Sequence, residues 1–137
     1  MGEASVLEFN FAPVKVLIVE DNDFVRFMLK KYLTGYGVKD IFEAANGEDG
    51  IKMLSVKPDI VICDIHMSPV DGFNFLNHVR SLETSENKLP FIFLTGNANA
   101  EFVEKARNLT VDAYLLKPIT ADNLKSKMIA LLTHPAA

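Results

Sequence analysis

Five polar residues stand directly after short apolar runs, and their chemistry is complementary. Glu20 and Asp21 follow VKVLIV (14–19), Asp64 follows DIVIC (59–63), Thr95 follows PFIFL (90–94) and Lys117 follows AYLL (113–116). Three carboxylates brought together repel one another, and one of them holds a proton unless a cation intervenes. Hard oxygen ligands in that number suit Mg²⁺, which keeps several waters and takes a few carboxylates together with phosphate oxygens. An amine and a hydroxyl beside them complete a site for an anionic oxygen group carried on, or bound beside, a carboxylate.

Such a site exists only if the chain folds so that the ends of these runs meet. Apart from Lys15 and Asp59 near their starts the runs are apolar, as expected of strands buried on both faces. Between them, residues 23–34 carry Val25, Met28, Leu29, Tyr32 and Leu33 at helical spacing, with Gly35 and Gly37 ending the segment. VKDIFEA (38–44) is a further strand, and Asn46 is placed to cap a helix running to about Ser55, with Glu48 and Asp49 favourable in its first turn. Further helices are predicted near 72–82, 99–108 and 121–132. The alternation predicts a single (βα)5 α/β domain, a parallel sheet with helices on both faces and right-handed crossovers. Ligands of such sheets bind outside the carboxyl ends of the strands, where the five polar residues lie.

Composition narrows the alternatives. A length of 137 residues suits one domain, and 49% hydrophobic with 23% charged residues is ordinary for a globular chain. A net charge of −4 argues against a broad basic surface, so no direct nucleic-acid partner is expected. The apolar runs are far too short to span a bilayer, so no membrane insertion is expected. The single cysteine, Cys63, cannot form an internal disulfide, which points to a reducing, cytoplasmic setting. It lies within an apolar strand and reads as a small core residue. Residues 1–13 are expected to form a loosely ordered extension, with a short strand or packed arm as the alternative because Leu7, Phe9 and Phe11 alternate; 14–133 form the domain and 134–137 a short tail. No effector segment follows Leu132, so the expectation is a stand-alone unit acting by protein contact or a piece of a larger regulator or hybrid kinase.

LIVEDN (17–22), CDIHMSPVDG (63–72), FLTGN (93–97) and DAYLLKP (112–118) resemble, in order, the four signature segments of response-regulator receiver domains of two-component signalling, the chemotaxis regulators among them. The resemblance covers about residues 14–132. It implies a doubly wound, flavodoxin-like sheet of order 2-1-3-4-5. It implies Asp64 as phosphoacceptor, with Glu20, Asp21 and Asp64 holding Mg²⁺ and the backbone carbonyl of His66 as a further ligand. Thr95 resembles the hydroxyl that bonds the arriving phosphoryl group, Lys117 the lysine that pairs with it, and Tyr114 the aromatic that changes rotamer on activation. The implied partners are a histidine kinase or phosphotransfer protein as donor and a downstream protein that reads the face of the fourth helix, fifth strand and fifth helix. The resemblance implies no enzyme beyond self-phosphotransfer and autodephosphorylation at Asp64. An X-Pro bond at Lys117-Pro118 that is cis would aim the amine back over the strand ends.

This sequence departs from the family pattern at three places. Ser68 stands where proline is usual, with Pro69 one residue later; Gly96 follows the threonine; Thr110-Val111 replaces a usual Gly-Ala. A competing enzyme reading also fits a motif. VEDNDFV (19–25) matches the D-x-D-x-[TV] pattern of haloacid-dehalogenase-type phosphatases, with Asp21 as nucleophile and Asp23 as acid-base. It leaves Asp64 without a role and lacks the further acidic motif that such enzymes need. Gly35-Tyr36-Gly37 follows a helix rather than a strand and is no dinucleotide fingerprint.

Overall fold

The computed structural model describes residues 9–67, 70–96 and 111–133. In chain order these form β1 (Lys15–Val19), α1 (Asp23–Tyr36), β2 (Asp40–Ala44), α2 (Gly47–Met53) with a 3₁₀ turn at Leu54–Val56, β3 (Ile60–Asp64), α3 (Gly72–Arg80), a 3₁₀ turn at Ser85–Lys88, β4 (Phe91–Thr95), β5 (Ala113–Leu116) and α4 (Ala121–Thr133). The five strands make one sheet of order β2-β1-β3-β4-β5, and all four pairings are parallel. The helix predicted near 99–108 and the Ser68-Pro69 departure lie outside the described residues.

Strand alternation sorts the core into two layers. Leu17, Val19, Val61, Cys63, Phe91 and Phe93 face one side and pack with Phe75, Leu76 and Val79 of α3. Val16, Ile18, Ile60, Ile62, Ile92 and Leu94 face the other and pack with Leu29 and Leu33 of α1 and Leu124 and Met128 of α4. Every residue of β3 and β4 is buried, which is why those strands are apolar up to their last residues, Asp64 and Thr95. Each such side chain contributes about 1.5–3 kcal/mol on burial.

Local chemistry sets the helix ends. Asn46 Oδ1 accepts from Asp49 N–H at 2.8 Å to start α2, as the sequence suggests, and Asn22 Oδ1 accepts from Val25 N–H at 3.0 Å to start α1. Asp71 and Thr120 cap α3 and α4 in the same way. Helix α1 runs two residues further than predicted. Gly35 continues the helix, and Gly37, at φ 105°, makes the left-handed stop. The expectation of a loose extension fails for its described part. Phe11 is buried, with its ring centroid 5.4 Å from that of Tyr36 and 4.7 Å from that of Phe9.

Candidate functional site at the carboxyl ends of the strands

Parallel strands of equal hand deliver their last residues to one edge of the sheet, and the ladder fixes how far each reaches. Asp64 and Thr95 are the final residues of β3 and β4 rather than the first residues beyond them. Glu20 continues the β1 ladder by donating its N–H to Ala44 O at 3.0 Å, and Lys117 continues β5 by donating to Thr95 O at 2.8 Å. Glu20, Asp64 and Thr95 are all buried, and Asp21 is exposed at the rim.

These residues converge. One carboxylate oxygen from each of Glu20, Asp21 and Asp64 lies within 4.8 Å of the others. Lys117 Nζ lies 3.3 Å from Asp64 Oδ1, to which it donates, and 3.3 Å from Glu20 Oε1. The second contact is an ion pair without hydrogen-bond geometry, so Oε1, fully buried, accepts no hydrogen bond. Glu20 Oε2 accepts from Asn22 N–H at 3.1 Å, and Asp64 Oδ1 receives a longer bond from His66 N–H at 3.4 Å.

The electrostatics follow from burial and crowding. Burial, with the Asp64 charge next among the raising effects, pushes the Glu20 carboxyl up to about 7, against the opposing pull of the Asn22 N–H and Lys117. Burial alone would lower the Lys117 ammonium, but Asp64 and Glu20 outweigh it and hold the amine above its ordinary range. A buried carboxylate oxygen lacking a donor, among three clustered carboxylates with one amine beside them among the described residues, is an oxygen set that fits a hard divalent cation. Burial, followed by the same two carboxylates, pushes the Cys63 thiol well up, which suits a core residue and not a reactive thiolate.

Asp23, the second carboxylate of the competing phosphatase motif, is outside this cluster. Its side chain is 91% exposed and pairs with Arg26 at 2.6 Å. Tyr114 is on β5, opposite Phe93 in register, and its side chain is 40% exposed.

Sequence reasoning missed Arg26. Its guanidinium donates to the Glu20 backbone carbonyl at 2.7 Å, to Asp23 Oδ1 at 2.6 Å and to Glu43 Oε1 at 3.0 Å, so that it ties the end of β1 to α1 and β2. The spacing of Asp23 and Arg26 on one helix face was a visible signal for the pair; the tie to Glu20 was not. Gly72 is the second omission. A Cβ there would stand 2.5 Å from Asp64 O and 2.8 Å from Ile65 Cα, so only glycine lets α3 approach the Asp64 turn so closely.

Comparison with known proteins gives the same picture. The family description "Response regulator receiver domain" matches residues 16–129. A Rhizobium etli protein described as "Probable chemotaxis protein CheY" is 36% identical over 119 residues, which are 86% of this chain and 92% of that protein. The Escherichia coli K12 "Regulator of RpoS" is 30% identical over 89% of this chain, but the match spans only 35% of that longer protein. Among solved structures, the Vibrio cholerae chemotaxis protein CheY4 is similar with a TM-score of 0.80 at 25% identity, covering 87% of this chain and 98% of that one. The signal receiver domain of a histidine kinase from Syntrophus aciditrophicus is similar with a TM-score of 0.80 at 26% identity, covering 88% and 90%.

Proposed function

The chain belongs to the response-regulator receiver family, and on that premise we propose that Asp64 is its phosphoacceptor, charged by a histidine kinase or phosphotransfer protein. Receiver domains act as phosphoacceptors and not as conventional enzymes. The observation that carries the assignment is the setting of Asp64, a buried carboxylate 3.3 Å from the Lys117 amine and clustered with Glu20 and Asp21.

In this reading an Asp64 oxygen attacks the phosphorus of the donor phosphohistidine. The phosphorus–nitrogen bond breaks, and its electron pair leaves with the imidazole. Glu20, Asp21 and Asp64, with the His66 backbone carbonyl, would hold Mg²⁺, which when bound supplies positive charge to the phosphoryl oxygens. Lys117 neutralises charge from the other side and needs little movement to do so, since its amine already stands against Asp64. The acyl phosphate formed adds roughly −1.5 to −2 charges and three acceptors, by analogy with other phosphorylated side chains. Water reaching the same atoms would later release phosphate. Thr95 turns to donate to the new group, and Tyr114 fills the space it leaves. The surface around β5 and α4 then presents a different face to a downstream protein.

Incubation with acetyl phosphate and Mg²⁺, followed by intact-protein mass spectrometry, should show one added phosphoryl group. Asp64→Asn should lose most of it. Label that persists in Asp64→Asn and maps to Asp21 would refute the assignment in favour of the phosphatase reading.

A further inference from the structure

Lysine carries its charge on a flexible four-carbon stem, so an amine held 3.3 Å from two carboxylates needs a fixed backbone beneath it. On the upstream side the Lys117 N–H is fixed by Thr95 O in the sheet ladder. Downstream the chain leaves the sheet through Pro118 and Ile119 before Thr120 caps α4. Ile119 packs at the edge of the layer that Leu29 and Leu33 of α1 share, but Lys117 and Pro118 face a cleft. The cleft, of about 480 Å³, has Lys117, Pro118 and Ile119 on one wall and Phe24, Met28 and Tyr32 among the residues of the other. Across that cleft the Tyr32 hydroxyl donates to the Ile119 carbonyl at 3.0 Å, a bond between residues 87 positions apart. One turn further along α1, the Tyr36 hydroxyl donates to the Ala121 carbonyl, inside α4 and four residues from the lysine.

We propose that Tyr32 is a positioning residue for Lys117: its bond to the Ile119 carbonyl holds the segment that keeps the lysine amine against Asp64 and Glu20. The proposal rests on the phosphoacceptor reading above and adds to it a dependence on one helix hydroxyl. Apolar packing of Ile119 is non-directional, so the directed bond to its carbonyl is what fixes the position of the backbone beside the cleft. Helix α1 is also fixed at its other end to the acidic side of the site, through Arg26 and the Glu20 carbonyl. It therefore acts as a strut that sets the separation of Glu20 from Lys117. Tyr36 ties α1 instead to α4 itself, gripping the start of a helix that Thr120 already caps, so its loss should weaken the fold without releasing the amine.

The test compares Tyr32→Phe with Tyr36→Phe in the full chain, using acetyl phosphate and Mg²⁺. Each variant removes one hydroxyl and keeps its ring. Tyr32→Phe should slow phosphorylation about three- to tenfold, the rate equivalent of one ordinary hydrogen bond. Tyr36→Phe should stay within about twofold of the parent, as a change remote from the reacting atoms does. The side-chain amine resonance of Lys117 should move towards that of exposed lysines in Tyr32→Phe and stay in place in Tyr36→Phe. In a Lys117→Met background, itself slow, Tyr32→Phe should cause no further loss. Equal slowing by both tyrosine variants, an unmoved amine resonance, or a full Tyr32→Phe effect without the lysine would each overturn the proposal. A Lys117→Met protein that reacts at the parent rate would instead remove the role of the lysine on which it rests, and Asp64→Asn reports separately on the acceptor.

Discussion

At the scale of single residues, Glu20 is the group whose charge state the fold controls most strongly. Its carboxyl ordinarily titrates at 4.5 and is pushed up to about 7 in the folded chain, by burial first and then by Asp64. Between those values the unfolded chain releases a proton that the folded chain keeps. Stability therefore falls as pH rises through that window, and the full cost is present above about 7. Thermal unfolding without divalent cation should show a midpoint that drops from pH 5 to pH 7. Glu20→Gln should flatten that part of the profile. Added Mg²⁺ should recover stability most at the upper end, with an apparent affinity that weakens as pH falls below about 7 and protons compete for the same oxygen. A profile that is flat in the parent protein would mean that Glu20 is solvated. The site residues were legible in sequence because each is a polar type at the end of an apolar strand, a local pattern. Arg26 and Tyr32 were not legible, because what each does depends on a carbonyl chosen by tertiary packing. A tyrosine at helical spacing among Val25, Met28, Leu29 and Leu33 reads as core, and nothing in the local sequence points to Ile119.

Among the elements, strands were legible to within a residue or two because β3 and β4 are apolar up to Asp64 and Thr95, and a capping residue marked the start of α2. Helix ends were less so. Gly35 and Gly37 are equally good stop signals in sequence, and only the turn geometry separates them. These two roles of glycine can be tested against each other. At Gly72 a Cβ would collide with backbone atoms of Asp64 and Ile65, which cannot rotate away. Gly72→Ala must lift α3 from the strand end or shift the Asp64 turn, at a cost of about 1–3 kcal/mol. Its phosphorylation by acetyl phosphate should slow along with the loss of stability. At Gly35 a Cβ meets nothing within 4 Å. Gly35→Ala should therefore stabilise the helix by about 0.5–1 kcal/mol and leave phosphorylation unchanged. Urea unfolding measures both, and a Gly72→Ala protein as stable and as reactive as the parent would contradict the close approach described above.

For the molecule as a whole, residues before Val14 contribute to the core. Phe11 fills the end of the layer beneath α1 and α4, at 2% exposure, with Val14 N–H donating to its carbonyl at 3.1 Å. Phe11→Ala should cost about 3–5 kcal/mol, the range for a large buried aromatic, and a chain cut at residue 13 should lose a similar amount. Against a total stability of order 5–15 kcal/mol that loss is readily seen by urea unfolding. Acetyl phosphate reactivity of the folded fraction should be untouched, because Phe11 lies at the opposite end of the sheet from Asp64. The alternation of Leu7, Phe9 and Phe11 left a packed arm open beside a loose extension, and tertiary packing decides it for Phe11.

The largest-scale prediction concerns how phosphorylation would be read at a distance. Thr95 and Lys117 are linked by a ladder bond of 2.8 Å, Thr95 pairs with Leu116 and Phe93 with Tyr114, so β5 is the strand most directly attached to the hydroxyl proposed to move. Tyr114 and Leu116 are partly exposed, at 40% and 48%, and have room to repack, whereas the β1 and β3 rows between the layers are buried and close-packed. Beryllofluoride with Mg²⁺, as a mimic of the phosphoryl group, should therefore shift the amides of residues 113–128 and the Tyr114 ring more than those of residues 23–55. Thr95→Ala should still accept the mimic at Asp64 but leave Tyr114 close to its resting position. If Tyr114 moves as far in Thr95→Ala as in the parent, the hydroxyl is not the link between the acceptor and the surface. Shifts confined to the Asp64 turn in both proteins would mean that this chain takes the charge without passing it on.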